Sequence, residues 1–262
     1  MEMHLSGRVA LVTGASKGIG LAVTQALADE GVRVAAAARS VTVELAKLAE
    51  QADVRPVTVD LSTPDGPAAA VDAAVAAYGG LDILVNNVGG VRPRTGGFLS
   101  VGDDEWLTAL NINFLAAVRS TRAALPHLLR SAAGSIVTIA SVNAALPDPL
   151  VIDYSAAKAA LANFCKSLSK EVGPQGVRVN TVSPGPVSTD LWLGPDGVAA
   201  TIARNGGGAA DDVARQAAGG SVTGRFTRPD EVADLVVYLA GDRAANVTGA
   251  DYTVDGGLIT TL

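Results

Sequence analysis

Seven short runs of apolar, small or β-branched residues stand out along this 262-residue chain. They span Arg8–Val12, Val32–Ala38, Val54–Val59, Leu81–Val85, Ile136–Ala140, Val177–Val182 and Asp251–Val254. Each is short enough for a strand, and most lack the polar alternation of a half-solvated sheet, which predicts strands buried on both faces. Between them lie longer stretches with helical spacing: Gly20 to about Glu30, Pro64–Tyr78, Asp103–Leu129, about Tyr154–Val172 and Pro229–Ala240. Strand and helix in alternation predict one α/β domain over residues 1–262, a doubly wound parallel sheet with right-handed crossovers and helices on both faces. The segment Asp190–Arg225, with Asn205-Gly206-Gly207-Gly208 inside it, is expected to be the least regular part. Lying beyond a strand end, it is expected to act as a mobile lid over about residues 188–225. No repeat or linker interrupts the pattern.

Composition narrows the picture. Hydrophobic residues make up 48% and aromatic residues only 4%, so the core is built from Ala, Val, Leu and Ile. The net charge is −6 and there is no basic tract, so neither nucleic acid nor an anionic membrane is an expected partner. No apolar run reaches the roughly 20 residues that cross a bilayer. The start, MEMHLSGRVALVTG, has no basic or cleavable leader pattern, and a cytoplasmic location is expected. A single Cys165 allows no intramolecular disulfide and reads as a packed thiol. His4 and His127 have no companions at ligand spacing, so no metal site is expected.

Candidate chemistry gathers at the ends of the predicted strands. After the first comes Thr13-Gly14-Ala15-Ser16-Lys17-Gly18-Ile19-Gly20, then a helix. Gly14 permits a tight turn, Gly18 lets backbone approach a pyrophosphate, and Gly20 lets helix and strand pack closely. The unpaired N–H groups of the helix start face the anion. After the second strand, where an acidic residue would take a ribose 2′-hydroxyl, stand Ala38 and Arg39; with Lys17 nearby, that favours a 2′-phosphate. Asp60-Leu61 and Asn86-Asn87-Val88-Gly89 end the third and fourth strands, and Asn113 is a polar residue inside the apolar run Leu110–Val118. Ser141 closes the fifth strand, and Tyr154 and Lys158 stand four apart at the start of a helix, on one face. A fixed cation beside a phenol lowers its pKa toward the range of a general acid–base group, and a serine hydroxyl nearby could hold a carbonyl oxygen.

These motifs, in this order from Gly7 to about Gly257, resemble the short-chain dehydrogenase/reductase family, of the kind that includes β-ketoacyl reductases and many ketone reductases. Val88 departs from the family's usual Ala, a small change. The resemblance implies a Rossmann-type fold and a seven-stranded parallel sheet. It implies Tyr154 as proton donor in ketone reduction and base in the reverse direction, and Lys158 as the group that lowers its pKa and holds the nicotinamide ribose. Ser141 would orient the carbonyl, and Asn113 would position water in a proton relay. The cofactor would be NADPH/NADP+ in preference to NADH, held by Gly14, Ser16, Lys17, Gly18, Ile19, Gly20, Arg39, Asp60 (on adenine), Leu61, Asn87, Val88, Gly89, Tyr154, Lys158, Pro184, Gly185, and by Val187 and Thr189 at the carboxamide. Asn143, Leu146, Pro147, Leu150, Trp192 and Leu193 are expected to line a mostly apolar pocket for a small-molecule carbonyl or alcohol. The family is usually homotetrameric, so self-association is expected.

The leading expectation is an NADPH-dependent reductase of a small or medium ketone. A β-ketoacyl-carrier-protein reductase ranks second: the positions aligned with that type's carrier-gripping basic residues hold Ala132 and Gln175, although Arg130 and Lys170 stand close by in sequence. A non-catalytic NADPH-binding regulator ranks last, because the Asn-Ser-Tyr-Lys set is whole.

Overall fold

The computed structural model describes residues 2–206 and 208–261. Seven strands, β1 (Val9–Thr13), β2 (Arg33–Ala38), β3 (Val54–Thr58), β4 (Ile83–Asn86), β5 (Ser135–Ile139), β6 (Arg178–Pro184) and β7 (Asp251–Val254), form one sheet. Every pairing is parallel, in the order β3-β2-β1-β4-β5-β6-β7. The chain winds outward from β1 to β3, returns to β4 beside β1, and winds the other way to β7. That reversal opens a crevice at the carboxyl ends of β1 and β4.

Side chains of one strand serve two cores. In β1, Ala10 and Val12 pack on the face covered by α1 (Gly18–Asp29), α2 (Val43–Gln51) and α10 (Pro229–Ala240). Val9 and Leu11 pack on the other face, with α3 (Gly66–Tyr78), α5 (Ala116–Leu128) and α6 (Ile152–Val172). This explains why the central strands read as unbroken apolar runs, each residue having a covered face to fill. The edge strands β3 and β7 are more exposed. Among the described residues no helix is long and apolar enough to cross a membrane.

Three segments differ from the sequence reading. Helix α2, unassigned from sequence, is short, and only Leu45 and Leu48 are buried; Thr42 caps it by accepting from Leu45 N at 3.3 Å. The single helix expected over 103–129 is α4 (Asp103–Leu110), a π turn (Asn111–Leu115) and α5 in succession. In the segment expected to be irregular, residues 190–225, the chain forms α7 (Asp190–Leu193), α8 (Val198–Gly206) and α9 (Ala210–Gly219). Val198, Ala199 and Ala203 bury one side of α8, a pattern hidden in the sequence by the flanking glycines. Gly207, part of the glycine cluster, lies outside the described residues.

Candidate active site

The crevice is closed at its base by an amide. Asn87 follows β4, and its Nδ2 donates to the carbonyls of Thr13 (2.8 Å) and Gly14 (3.2 Å). Thr13 Oγ1 in turn accepts from Asn87 N (2.9 Å) and Val88 N (3.1 Å) and donates to Val85 O (3.1 Å). The two strand ends are thereby fixed to each other. Gly14 takes the left-handed conformation, φ +68°, with Asn87 Nδ2 3.0 Å from where a Cβ would stand. At Gly20 a Cβ would stand 2.2 Å from Gly14 O, which only glycine avoids. Helix α1 starts without a side-chain cap, so its first N–H groups are left to an anion.

This cradle fits a dinucleotide. Lys17 and Arg39 are exposed along its rim, and neither guanidinium nor ammonium is engaged by another described residue. Asp60 spends Oδ1 on Ser62 N (2.9 Å) and Ser62 Oγ (2.7 Å). Those bonds, with the nearby Arg39 charge, hold its carboxyl below its ordinary range, so it stays an acceptor. Ser16, Gly18, Ile19, Leu61, Val88, Gly89, Pro184, Gly185, Val187 and Thr189 line the same cleft, of about 1420 Å³.

The residues expected to transfer the proton share one wall. Lys158, on α6, is 3% exposed, and its ammonium donates to Ile139 O at 2.8 Å. It stands 5.6 Å from the centre of the Tyr154 ring. Burial pulls it down to about 8. Burial also pushes the Tyr154 phenol up, and the Ser141 hydroxyl beside it draws it partly back. In the protein alone the Lys158 ammonium is held by a carbonyl, and burial, opposed by Ser141, sets the direction for the phenol. Ser141 donates to Asn143 Oδ1 (3.2 Å) and accepts from Asn143 N (3.2 Å), so its hydroxyl is oriented from within its own turn.

Asn113 anchors the loop after β4. It lies in the π turn, 1% exposed, beneath the cleft wall. Its Nδ2 donates to Gly90 O (2.9 Å) and Ala109 O (3.0 Å), and its Oδ1 accepts from Gly90 N (3.0 Å). Both ends of the amide are engaged, so the side chain secures the loop after β4. The π turn makes this possible by rotating Asn113 inward at the wide point of the helix.

Asn143, Leu146, Pro147, Leu150 and Trp192 line the same cleft. Leu193 does not line it, whereas Leu191 does. The reason is the helical turn of α7, which carries successive side chains away from one face. Trp192 is braced by Phe226, with ring centres 5.5 Å apart. Sequence reasoning missed Arg94, Asp153, Ile202, Gln216 and Leu258, which also line the cleft. Nothing local in the sequence marks Asp153 as buried, and its partner Arg94 stands 59 residues earlier.

Comparison with known proteins agrees with this geometry. A family model described as enoyl-(acyl carrier protein) reductase matches residues 14–259. The chain is 36% identical over 254 residues to the short-chain reductase protein NovJ of Streptomyces niveus, covering 95% of this chain and 93% of that protein. It is 33% identical over 258 residues to a 3-oxoacyl-(acyl-carrier-protein) reductase of Vibrio cholerae, covering 98% and 99%. The crystal structure of L-sorbose reductase from Gluconobacter frateurii complexed with NADPH and L-sorbose superposes with a TM-score of 0.91 at 34% identity, covering 100% of both chains.

Proposed function

This chain belongs to the short-chain dehydrogenase/reductase family, and from that premise we propose that it reduces a small or medium ketone to a secondary alcohol with NADPH, Tyr154 giving the proton. The observation that carries the reading is the gathering of Tyr154, Ser141 and Lys158 on one wall of the cleft that also holds the glycine cradle. NADPH is supported by the free cations Lys17 and Arg39 where an acidic residue would oppose a 2′-phosphate, and by a structural relative that binds NADPH. Bound nicotinamide supplies the hydride. Because burial raises the phenol, Tyr154 carries its proton at neutral pH, the form that reduction needs. Ser141 holds the carbonyl oxygen beside it, and Lys158 stabilises the phenolate left behind. In oxidation Tyr154 works as the base, which calls for higher pH. Asn113 acts from beneath, fixing Gly90 and with it the loop that borders the site. Segment 188–225 closes over the substrate, and the protein works as a cytoplasmic homotetramer; light scattering of the purified protein tests the assembly.

The test is NADPH oxidation against a ketone panel, with Tyr154→Phe and NADH beside it. Loss of a positioned general acid costs about 10²–10⁴-fold, so turnover should fall by that much in the variant. Undiminished turnover in Tyr154→Phe overturns the assignment. A second reading, reduction of a carrier-bound β-ketoacyl thioester, is supported by the identity with the Vibrio cholerae enzyme. It predicts turnover confined to the carrier-bound thioester and weakened by Arg130→Glu.

A further inference from the structure

Arg94 and Asp153 form the least exposed ion pair among the described residues, at 12% and 3% side-chain exposure, and proton transfer gives it no task. Arg94 sits on the loop after β4, and Asp153 in the first turn of α6, directly before Tyr154. Arg94 Nε (3.0 Å) and Nη2 both donate to Asp153 Oδ2, while Oδ1 accepts from Tyr154 N at 3.0 Å. Backbone Arg94 N donates to Leu150 O at 2.6 Å. Both carboxylate oxygens are thus taken and the guanidinium is pinned, yet its Nη1 has no partner among the described residues. Both side chains line the cleft.

Stability alone is a poor reason to keep such a pair, since apolar residues of similar volume often serve as well or better. What the pair provides is a donor fixed in advance, so little rotamer freedom is lost when it meets an acceptor. Its net charge is zero. The other charged side chains on this half of the cleft are mostly acidic, Asp104, Glu105, Asp148 and Asp190 against Arg92 and Lys158. A carboxylate is poorly suited to that field, whereas a hydroxyl or second carbonyl fits it.

We propose that Arg94 sets substrate specificity by donating from Nη1 to a second, neutral oxygen of the substrate, so that hydroxyketones are preferred to plain ketones. The proposal deepens the reductase reading and rests on it for the identity of the reacting group. Leu146, Pro147, Leu150 and Trp192 would hold the carbon skeleton.

The experiment compares cyclohexanone, 2-hydroxycyclohexanone and 3-oxocyclohexanecarboxylate. It reads kcat/KM with NADPH, and calorimetric binding to the protein loaded with NADP+. A hydrogen bond from a charged donor discriminates by about tenfold or more, so the hydroxyketone should lead both others by that factor. Arg94→Met should reduce the hydroxyketone-to-cyclohexanone ratio to near unity. That variant strands a buried carboxylate, so Arg94→Met/Asp153→Leu, which removes both charges, is measured beside it and checked for NADP+ binding. A ratio kept in the double variant, a carboxylate preferred by the wild type, or no preference in the wild type overturns the proposal. Binding preference without any turnover would instead sustain the proposal for Arg94 and overturn the reductase reading.

Discussion

An ammonium that is 3% exposed and bonded only to a backbone carbonyl is costly to keep charged, and burial holds Lys158 down to about 8 from 10.5. The linkage has a definite sign. Below about 8 the folded protein carries a buried charge that the unfolded chain would keep in water. Between about 8 and 10.5 the unfolded state binds the extra proton, so stability rises with pH across that window. Urea unfolding of the cofactor-free protein should therefore show wild type gaining about 2 kcal/mol on Lys158→Met between pH 7.5 and 9.5. A difference that stays flat with pH would show that the ammonium is not desolvated. At this scale the sequence was informative where covalent spacing sets the geometry: Tyr154 and Lys158 share a face because they are one helical turn apart. It was silent on Arg94 and Asp153, whose meeting depends on a loop conformation no local pattern encodes, and on the burial that raises the phenol.

The elements show the same division. Continuous apolar runs gave away the central strands, because a parallel sheet covered on both faces has no polar side to display. The π turn Asn111–Leu115 left no such trace, since one extra residue in a helical ladder barely disturbs the apolar pattern. Yet that turn is what brings Asn113 under the loop at Gly89 and Gly90. A Cβ at Gly89 would stand 2.8 Å from Asn113 Oδ1 and 3.6 Å from Lys158 Nζ, while at Gly90 nothing lies within 4 Å. Asn113 is held by three hydrogen bonds and has little room to give. Gly89→Ala should cost about 1–3 kcal/mol, lowering Tm by several degrees; Gly90→Ala should leave Tm nearly unchanged. Equal melting of the two variants would mean that the Asn113 clamp yields easily and is not what fixes the loop. The helices of the 190–225 segment were illegible for a related reason: only α8 has fully buried residues, and glycines break the spacing between the three.

Across the whole molecule the cleft is assembled from pieces remote in sequence: the turn after β1, the Asn87 clamp after β4, the Tyr154–Lys158 wall on α6, and Pro184–Thr189 at the end of β6. None of these has a binding surface alone, so a dinucleotide meets its site only in the folded chain, and its binding energy adds to global stability by mass action. At a free concentration 100 times Kd the gain is about 2.7 kcal/mol. The order of the strands makes this cofactor-selective, because the outward winding from β1 to β2 carries Arg39 to the same rim as Lys17. At equal concentrations NADP+ should therefore raise Tm more than NAD+, and Arg39→Ala should narrow that gap while leaving the NAD+ shift in place. The contrast separates a 2′-phosphate contact from a general role of Arg39, since a merely structural loss would weaken both nucleotides alike. Equal shifts by NADP+ and NAD+ in the wild type would sink the NADPH assignment while leaving the fold and the Tyr154–Lys158 wall untouched, because Lys17 and Arg39 follow β1 and β2 whereas Tyr154 stands on α6.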